Sequence, residues 1–212
     1  MIKELKYITL EYTEDDLEYL DYITEKIETI SEEIVNFFEG LELNEKVKVI
    51  LFNDLDKFKK ACLKYKRDKK MPDWVTGLTH CDGVYTLSLK ELRKTKSPGN
   101  KTVDDLAHLI LHEFTHACTN QYVDYNKKCM WLSEGIACNL SHQYDSSKYN
   151  FKATEDEVLN GPTGYDNYSI MFKYALDKYG RDYILNLIKN PDLFEEETHR
   201  IFTEVTKQKK HL

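Results

Sequence analysis

Proline and glycine are scarce, with four Pro and eight Gly in 212 residues. So few chain breakers exclude a collagen-like repeat and long flexible linkers. Long apolar runs are missing too; the longest last only a few residues, which leaves no candidate for a transmembrane helix. Positive charge is in deficit, with 30 Lys+Arg against 37 Asp+Glu and a formal net charge of −7. A globally acidic chain is poorly matched to nucleic acid or an anionic membrane, so neither is expected as a partner. The five cysteines, at 62, 81, 118, 129 and 138, form no CxxC pair and no even framework. Reduced thiols and a cytoplasmic location are the expectation. The opening MIKELKYITLEY has no apolar signal core and meets acidic residues at once, in keeping with that location.

Large core-capable side chains are abundant: 15 Tyr, 9 Phe and a hydrophobic share of 41% are enough for one sizeable core. No repeat or low-complexity block interrupts the chain. Residues 5–11 (LKYITLE) predict a short strand. Thr13 then caps a helix, Asp16 completes a capping box and Tyr12 staples against Leu17. Leu17, Leu20, Ile23, Ile27, Ile30, Ile34 and Phe38 recur every three or four residues, which predicts a long helix to about Phe38, stopped by Gly40. Residues 46–52 (KVKVILF) predict a central strand. Asn53 or Asp54 caps the helix that follows, through Lys66. That basic stretch carries Phe58, Ala61, Cys62 and Tyr65 at helical spacing and reads as a solvated amphipathic face, with an anion site as the lesser alternative. Trp74 to Leu89 predicts two strands around a turn at Cys81-Asp82-Gly83, with a loop over 93–101.

Near Thr102 the period changes from two to three or four. Thr102 and Asp105 form a second capping box at the head of a helix to about Cys118, and another helix begins near Cys129. Residues 145–164 read as a long irregular stretch, and helices fill 165–178, 181–189 and 193–208. The expected fold is α+β. A mixed N-terminal β-sheet with helices lies upstream of residue 100, and an all-helical C-terminal lobe follows. Residues 1–212 would form a single domain with sublobes at 1–120 and 121–212.

Chemistry concentrates in His112-Glu113-Phe114-Thr115-His116. The pattern H-E-x-x-H lies within a predicted helix, where one turn separates the two His and both imidazoles leave the same face. Imidazole nitrogens suit zinc, and Glu113 can reach an attacking water without ligating the metal. Zinc needs a third protein ligand. Seventeen residues separate His116 from Glu134, which the segment WLSEG sets among apolar neighbours, where a carboxylate gains from a metal partner. The Gly135 that follows permits close helix packing.

HEFTH followed by WLSEG resembles the gluzincin zinc metallopeptidases, the thermolysin-like peptidase MA clan, and within it the small single-domain bacterial members. The resemblance covers most of residues 5–190 and is specific at its centre. It implies a thermolysin-like catalytic core in which His112, His116 and Glu134 bind Zn2+ and Glu113 is the general base. The implied activity is peptide-bond hydrolysis through a metal-activated water, with a peptide or unfolded protein as substrate. Either arm of 74–89 would be the edge strand along which a peptide lies. A Tyr from the helical lobe would donate to the oxyanion: Tyr165 stands at the family's recurrent position, and Tyr168 is one turn on. Two points depart from the family. The spacing to Glu134 is slightly shorter, and Cys138 stands where an Asp usually holds the first His; Asn120, Asp105 or a backbone carbonyl would replace it. His108 reads as a helix His without a role, and Cys118 and Cys138 as small buried residues rather than ligands. The alternative function is a zinc-containing peptide-binding protein with little or no turnover; a zinc enzyme acting on a non-peptide amide is a further class.

Overall fold

A computed structural model describes residues 1–38, 43, 45–64, 71–80, 83–96, 101–122, 129–161 and 163–208. The chain divides into two compact units, Met1–Ala117 and Cys118–Leu212. Every strand among the described residues belongs to the first, and the second is built of helices and loops.

The first unit is a five-stranded mixed sheet. Strands β1 (Ile2–Glu4), β2 (Ile8–Glu11), β3 (Val47–Phe52), β4 (Gly77–His80) and β5 (Gly83–Leu87) take the spatial order β1-β2-β3-β5-β4. The strand expected over 5–11 is therefore only the second arm of a hairpin. Leu5 N–H donates to Ile8 O at 2.8 Å and turns the chain there. β2, β3 and β5 run parallel, with β3 in the centre as expected, and β1 and β4 close the two edges antiparallel. Parallel neighbours need crossovers, supplied by α1 (Leu20–Phe37) and by α2 (Leu55–Leu63) with the β4 hairpin arm. Ile8 and Leu10 of β2, Val49 and Leu51 of β3, and Val84 and Leu87 of β5 are buried together with the α1 stripe.

The start of α1 differs from expectation. Asp16 does reach back to Thr13, accepting from its N–H at 2.8 Å and its hydroxyl at 3.0 Å. However, the turn this box opens is only a 3-10 turn, Glu14–Asp16, and the α-helix begins at Leu20. The buried Asp16 carboxylate is also bound by the Tyr19 hydroxyl, which in turn accepts from Leu89 N–H. Those ties hold the chain off a helical path until Tyr19 is passed. Leu17 consequently faces solvent, 52% exposed, and makes no staple. The rest of the stripe, Leu20 to Phe38, is buried. Gly40, Tyr65 and Lys66 lie outside the described residues. Asp54, not Asn53, caps α2 by accepting from Lys57 N–H at 2.8 Å. At the tip of the second hairpin Gly83 has φ +145°, and a Cβ there would stand 2.6 Å from Lys48 O, so only glycine fits. Cys81 and Asp82 lie outside the described residues. A one-turn helix, α3, spans Leu89–Leu92, and residues 97–100 of the loop expected over 93–101 lie outside the described residues.

α4 (Val103–Thr119) ends the first unit and begins the second. Its cap is the expected box: Asp105 accepts from Thr102 N–H at 2.7 Å, and Thr102 Oγ1 accepts from Asp105 N–H at 3.1 Å. In the second unit α5 (Met130–Leu140) packs on α7 (Tyr165–Lys189), and Trp131, 1% exposed, donates from its indole to Thr198 on α8 (Phe194–Gln208) at 2.7 Å. α7 is broken at Gly180 (φ +81°), matching the two helices expected over 165–189. The stretch 145–164 is more ordered than expected. Thr154 and Glu157 form a capping box for α6 (Glu155–Asn160), and Phe151 and Val158 are buried anchors. Among the described residues no helix is long and apolar enough to cross a membrane.

Candidate metal centre

His112 and His116 sit one turn apart on α4, both nearly buried at 5% and 8% exposure. The helix is amphipathic, with Leu106, Ile110, Leu111 and Phe114 in the core, and its remaining face carries the two imidazoles. Their rings meet edge to face at 4.7 Å, and the two Nε2 atoms are 3.1 Å apart. Among the described residues, the imidazole donors and a carboxylate oxygen of Glu134 form a group that could hold a metal ion, all within 4.8 Å of one another.

α5 positions Glu134 because Gly135 lets the helix touch α7. A Cβ at 135 would stand 2.5 Å from Phe172 Cβ and 2.7 Å from Tyr168 O. Asn139, one turn on, fastens the same pair: its amide donates to Gly135 O at 2.8 Å and to Ser169 Oγ at 2.9 Å. Oε2 of Glu134 is sealed from solvent.

Glu113 lies between the two His in sequence but faces the sheet. Thr79 Oγ1 of β4 is 2.6 Å from Glu113 Oε2 and 2.7 Å from Glu113 O. Gly77, two residues earlier on the same strand, passes so close that a Cβ would meet Glu113 Oε1 at 2.8 Å. β4 is thus the hairpin arm at the sheet edge. Neither Thr79 nor Gly77 has a sequence signal; both enter through the register of β4 against α4.

The other candidates separate. Asp105 is committed to the helix cap. Asn120 keeps a buried side-chain oxygen that accepts no hydrogen bond within the described residues. Cys118 and Cys138 are fully buried. Burial pushes both thiols well above the usual range, and at Cys138 the Glu134 charge adds to it. Protonated thiols are poor ligands. Tyr165 is 37% exposed, its ring 6.1 Å from that of Tyr144. Tyr168 is buried at 2%, and its hydroxyl accepts from Thr163 N–H at 3.1 Å. Burial raises the Tyr168 pKa, the Thr163 bond opposes that, and the Glu134 charge adds a further upward push.

The donor set suits zinc. Two ligands each about 2.0–2.1 Å from one tetrahedral ion stand about 3.3 Å apart, near the observed separation of the two Nε2 atoms. One carboxylate beside two imidazoles also matches the His2Glu set of zinc hydrolases. No protein-family model, no curated protein and no solved structure matches this chain, so its assignment rests on these side chains.

Proposed function

We propose that this chain is a zinc-dependent peptidase of the gluzincin kind, hydrolysing peptide bonds, with residues 1–212 acting as one metallopeptidase-like domain. The observation that carries the reading is the buried pair of imidazoles converging at 3.1 Å with a carboxylate in reach and a second carboxylate, Glu113, held out of the ligand set by Thr79. A structural site has no use for that fourth side chain.

His112 and His116 would bind zinc through Nε2, and Glu134 through a carboxylate oxygen that offsets the ion's charge. Zinc, when bound, supplies Lewis acidity and brings a water's pKa toward neutrality. Glu113 takes the proton of the attacking water and passes it to the leaving amine. A Tyr hydroxyl, Tyr165 or the Tyr168 one turn on, donates to the developing oxyanion. The substrate class is a peptide or an unfolded protein, and the proposed compartment is the cytoplasm.

The test is elemental analysis of purified protein together with hydrolysis of an unstructured protein before and after chelation. One zinc per chain is expected, with turnover that chelation removes and zinc restores. His112→Ala, His116→Ala and Glu134→Gln should each lower zinc affinity by more than the about 10–100-fold that loss of a supporting hydrogen bond costs. Full occupancy in any of them removes that residue from the ligand set. Tightly held zinc without turnover would mean a zinc-containing peptide-binding protein instead.

A further inference from the structure

We infer that the edge strand β4 positions the general base: Thr79 fixes Glu113 Oε2, and Gly77 keeps the space beside Oε1 open, so that Oε1 is the oxygen that takes the proton. The role of Glu113 in this inference rests on the peptidase reading above; the contact with Thr79 does not.

Residues 77 and 79 project from the same face of β4, because side chains alternate along a strand. Both meet one side chain. Thr79 is 7% exposed, and its single hydroxyl proton has two acceptors, Oε2 at 2.6 Å and Glu113 O at 2.7 Å. A carboxylate oxygen free of other donors outcompetes a carbonyl already engaged in the helix ladder, and the Oε2 contact is the shorter of the two. Oε1 accepts no hydrogen bond from any described residue. A Cβ at position 77 would stand 2.8 Å from Oε1, 3.0 Å from Glu113 Cγ and 3.1 Å from Leu109 Cδ1. Without the Thr79 bond the carboxylate would rotate about its terminal torsion, which is broad for Glu, and present either oxygen. A base held at one oxygen offers the other in a fixed direction, and such alignment is what proton abstraction requires.

The experiment uses full-length protein as wild type, T79V, T79S and G77A. Valine keeps the shape of threonine and the strand preference but removes the donor. T79V is expected to lower kcat about tenfold to a hundredfold, the size of a hydrogen bond to a charged group. KM should stay within about twofold, since substrate binding is untouched. Zinc content should stay at the wild-type value, the thermal midpoint should fall by several degrees because the carboxylate loses its donor, and T79S should recover most of the rate. G77A should lower kcat by displacing Oε1. The second readout needs no turnover: the ¹³C resonance of Glu113 Cδ in metal-free protein should shift in T79V and return in T79S. An unmoved resonance in T79V, or wild-type kcat in T79V of an active enzyme, overturns the inference. Loss of kcat that serine does not recover also overturns it, because a merely structural role would do the same. A wild type without turnover overturns the peptidase reading, while the resonance still decides whether Thr79 holds the carboxylate. Should T79V not fold, G77A decides by the same two readouts, since the three atoms nearest its methyl all belong to the Glu113 and Leu109 side chains.

Discussion

Glu113→Gln is expected to abolish hydrolysis while zinc and fold stay in place. Glutamine has nearly the same size, and its amide oxygen can still accept from Thr79 in the place of Oε2. What it loses is the ability to take a proton at neutral pH. Loss of a general base costs about 10²–10⁴ in rate, and more where the same group returns the proton. Stability should hold, because a side chain only 8% exposed changes from charged to neutral and so is no worse solvated than before. Zinc content should match wild type, in contrast to Glu134→Gln, where an anionic donor is removed. Hydrolysis of a quenched peptide library, with metal measured on the same samples, separates the two variants. Activity in Glu113→Gln equal to that of an active wild type would remove Glu113 from the chemistry.

Gly135→Ala is expected to destabilise the second unit. Alanine is the better helix former by about 1 kcal/mol, so an exposed position would gain from the change. Here the added Cβ would lie 2.5 Å from Phe172 Cβ and 2.7 Å from Tyr168 O. These are a Cβ and a backbone atom of α7, and neither can swing aside as a side-chain tip would. Forcing a methyl into packed structure costs about 1–3 kcal/mol, and backbone atoms put this site at the upper end, above the helix-propensity gain. At about 2–4 °C per kcal/mol for a chain of this size, the thermal midpoint should fall by several degrees. Circular dichroism on the metal-free protein checks this without interference from zinc linkage. A midpoint at or above wild type would mean that the α5–α7 contact has room for a methyl.

The core of the candidate site was legible because it is local. Two His one turn apart, a capping box at Thr102 and an apolar stripe are all written within a few residues of one another, and the helix forms where they say. Glu134 was legible for a similar reason, through the Trp131-to-Gly135 segment, and Gly135 proved to need its missing side chain. Thr79 and Gly77 were not legible. Their place beside Glu113 depends on which hairpin arm reaches the sheet edge and on its register against α4, and both are long-range outcomes. Leu17 shows the opposite error: it fits the helical period, yet Asp16 and Tyr19 hold the chain in a tight turn there. The α6 helix carries a readable Thr154-to-Glu157 box, but six residues are too few for a period to emerge.

The strand order β1-β2-β3-β5-β4 has a consequence for synthesis on the ribosome. β1 and β2 can pair as soon as both have emerged. The outer edge of β2 must wait for β3, about forty residues downstream, and the far edge of β3 waits about as long again for β5, a delay of seconds each at about 5–20 residues per second. During those intervals Ile8, Leu10, Val49 and Leu51 stand on unpaired edges, the usual starting point of intermolecular strand pairing. Glu11 follows Leu10 and Lys48 precedes Val49, and in the finished sheet Lys46 pairs with Glu4 at 2.9 Å and Lys48 with Glu11 at 2.9 Å. Exposed ion pairs of this kind add little to a folded protein. Their larger service comes earlier, as charges that blunt an unpaired edge on a growing chain, and neutralising Lys46 and Lys48 should raise the insoluble fraction on expression more than it lowers the melting point of the protein that folds.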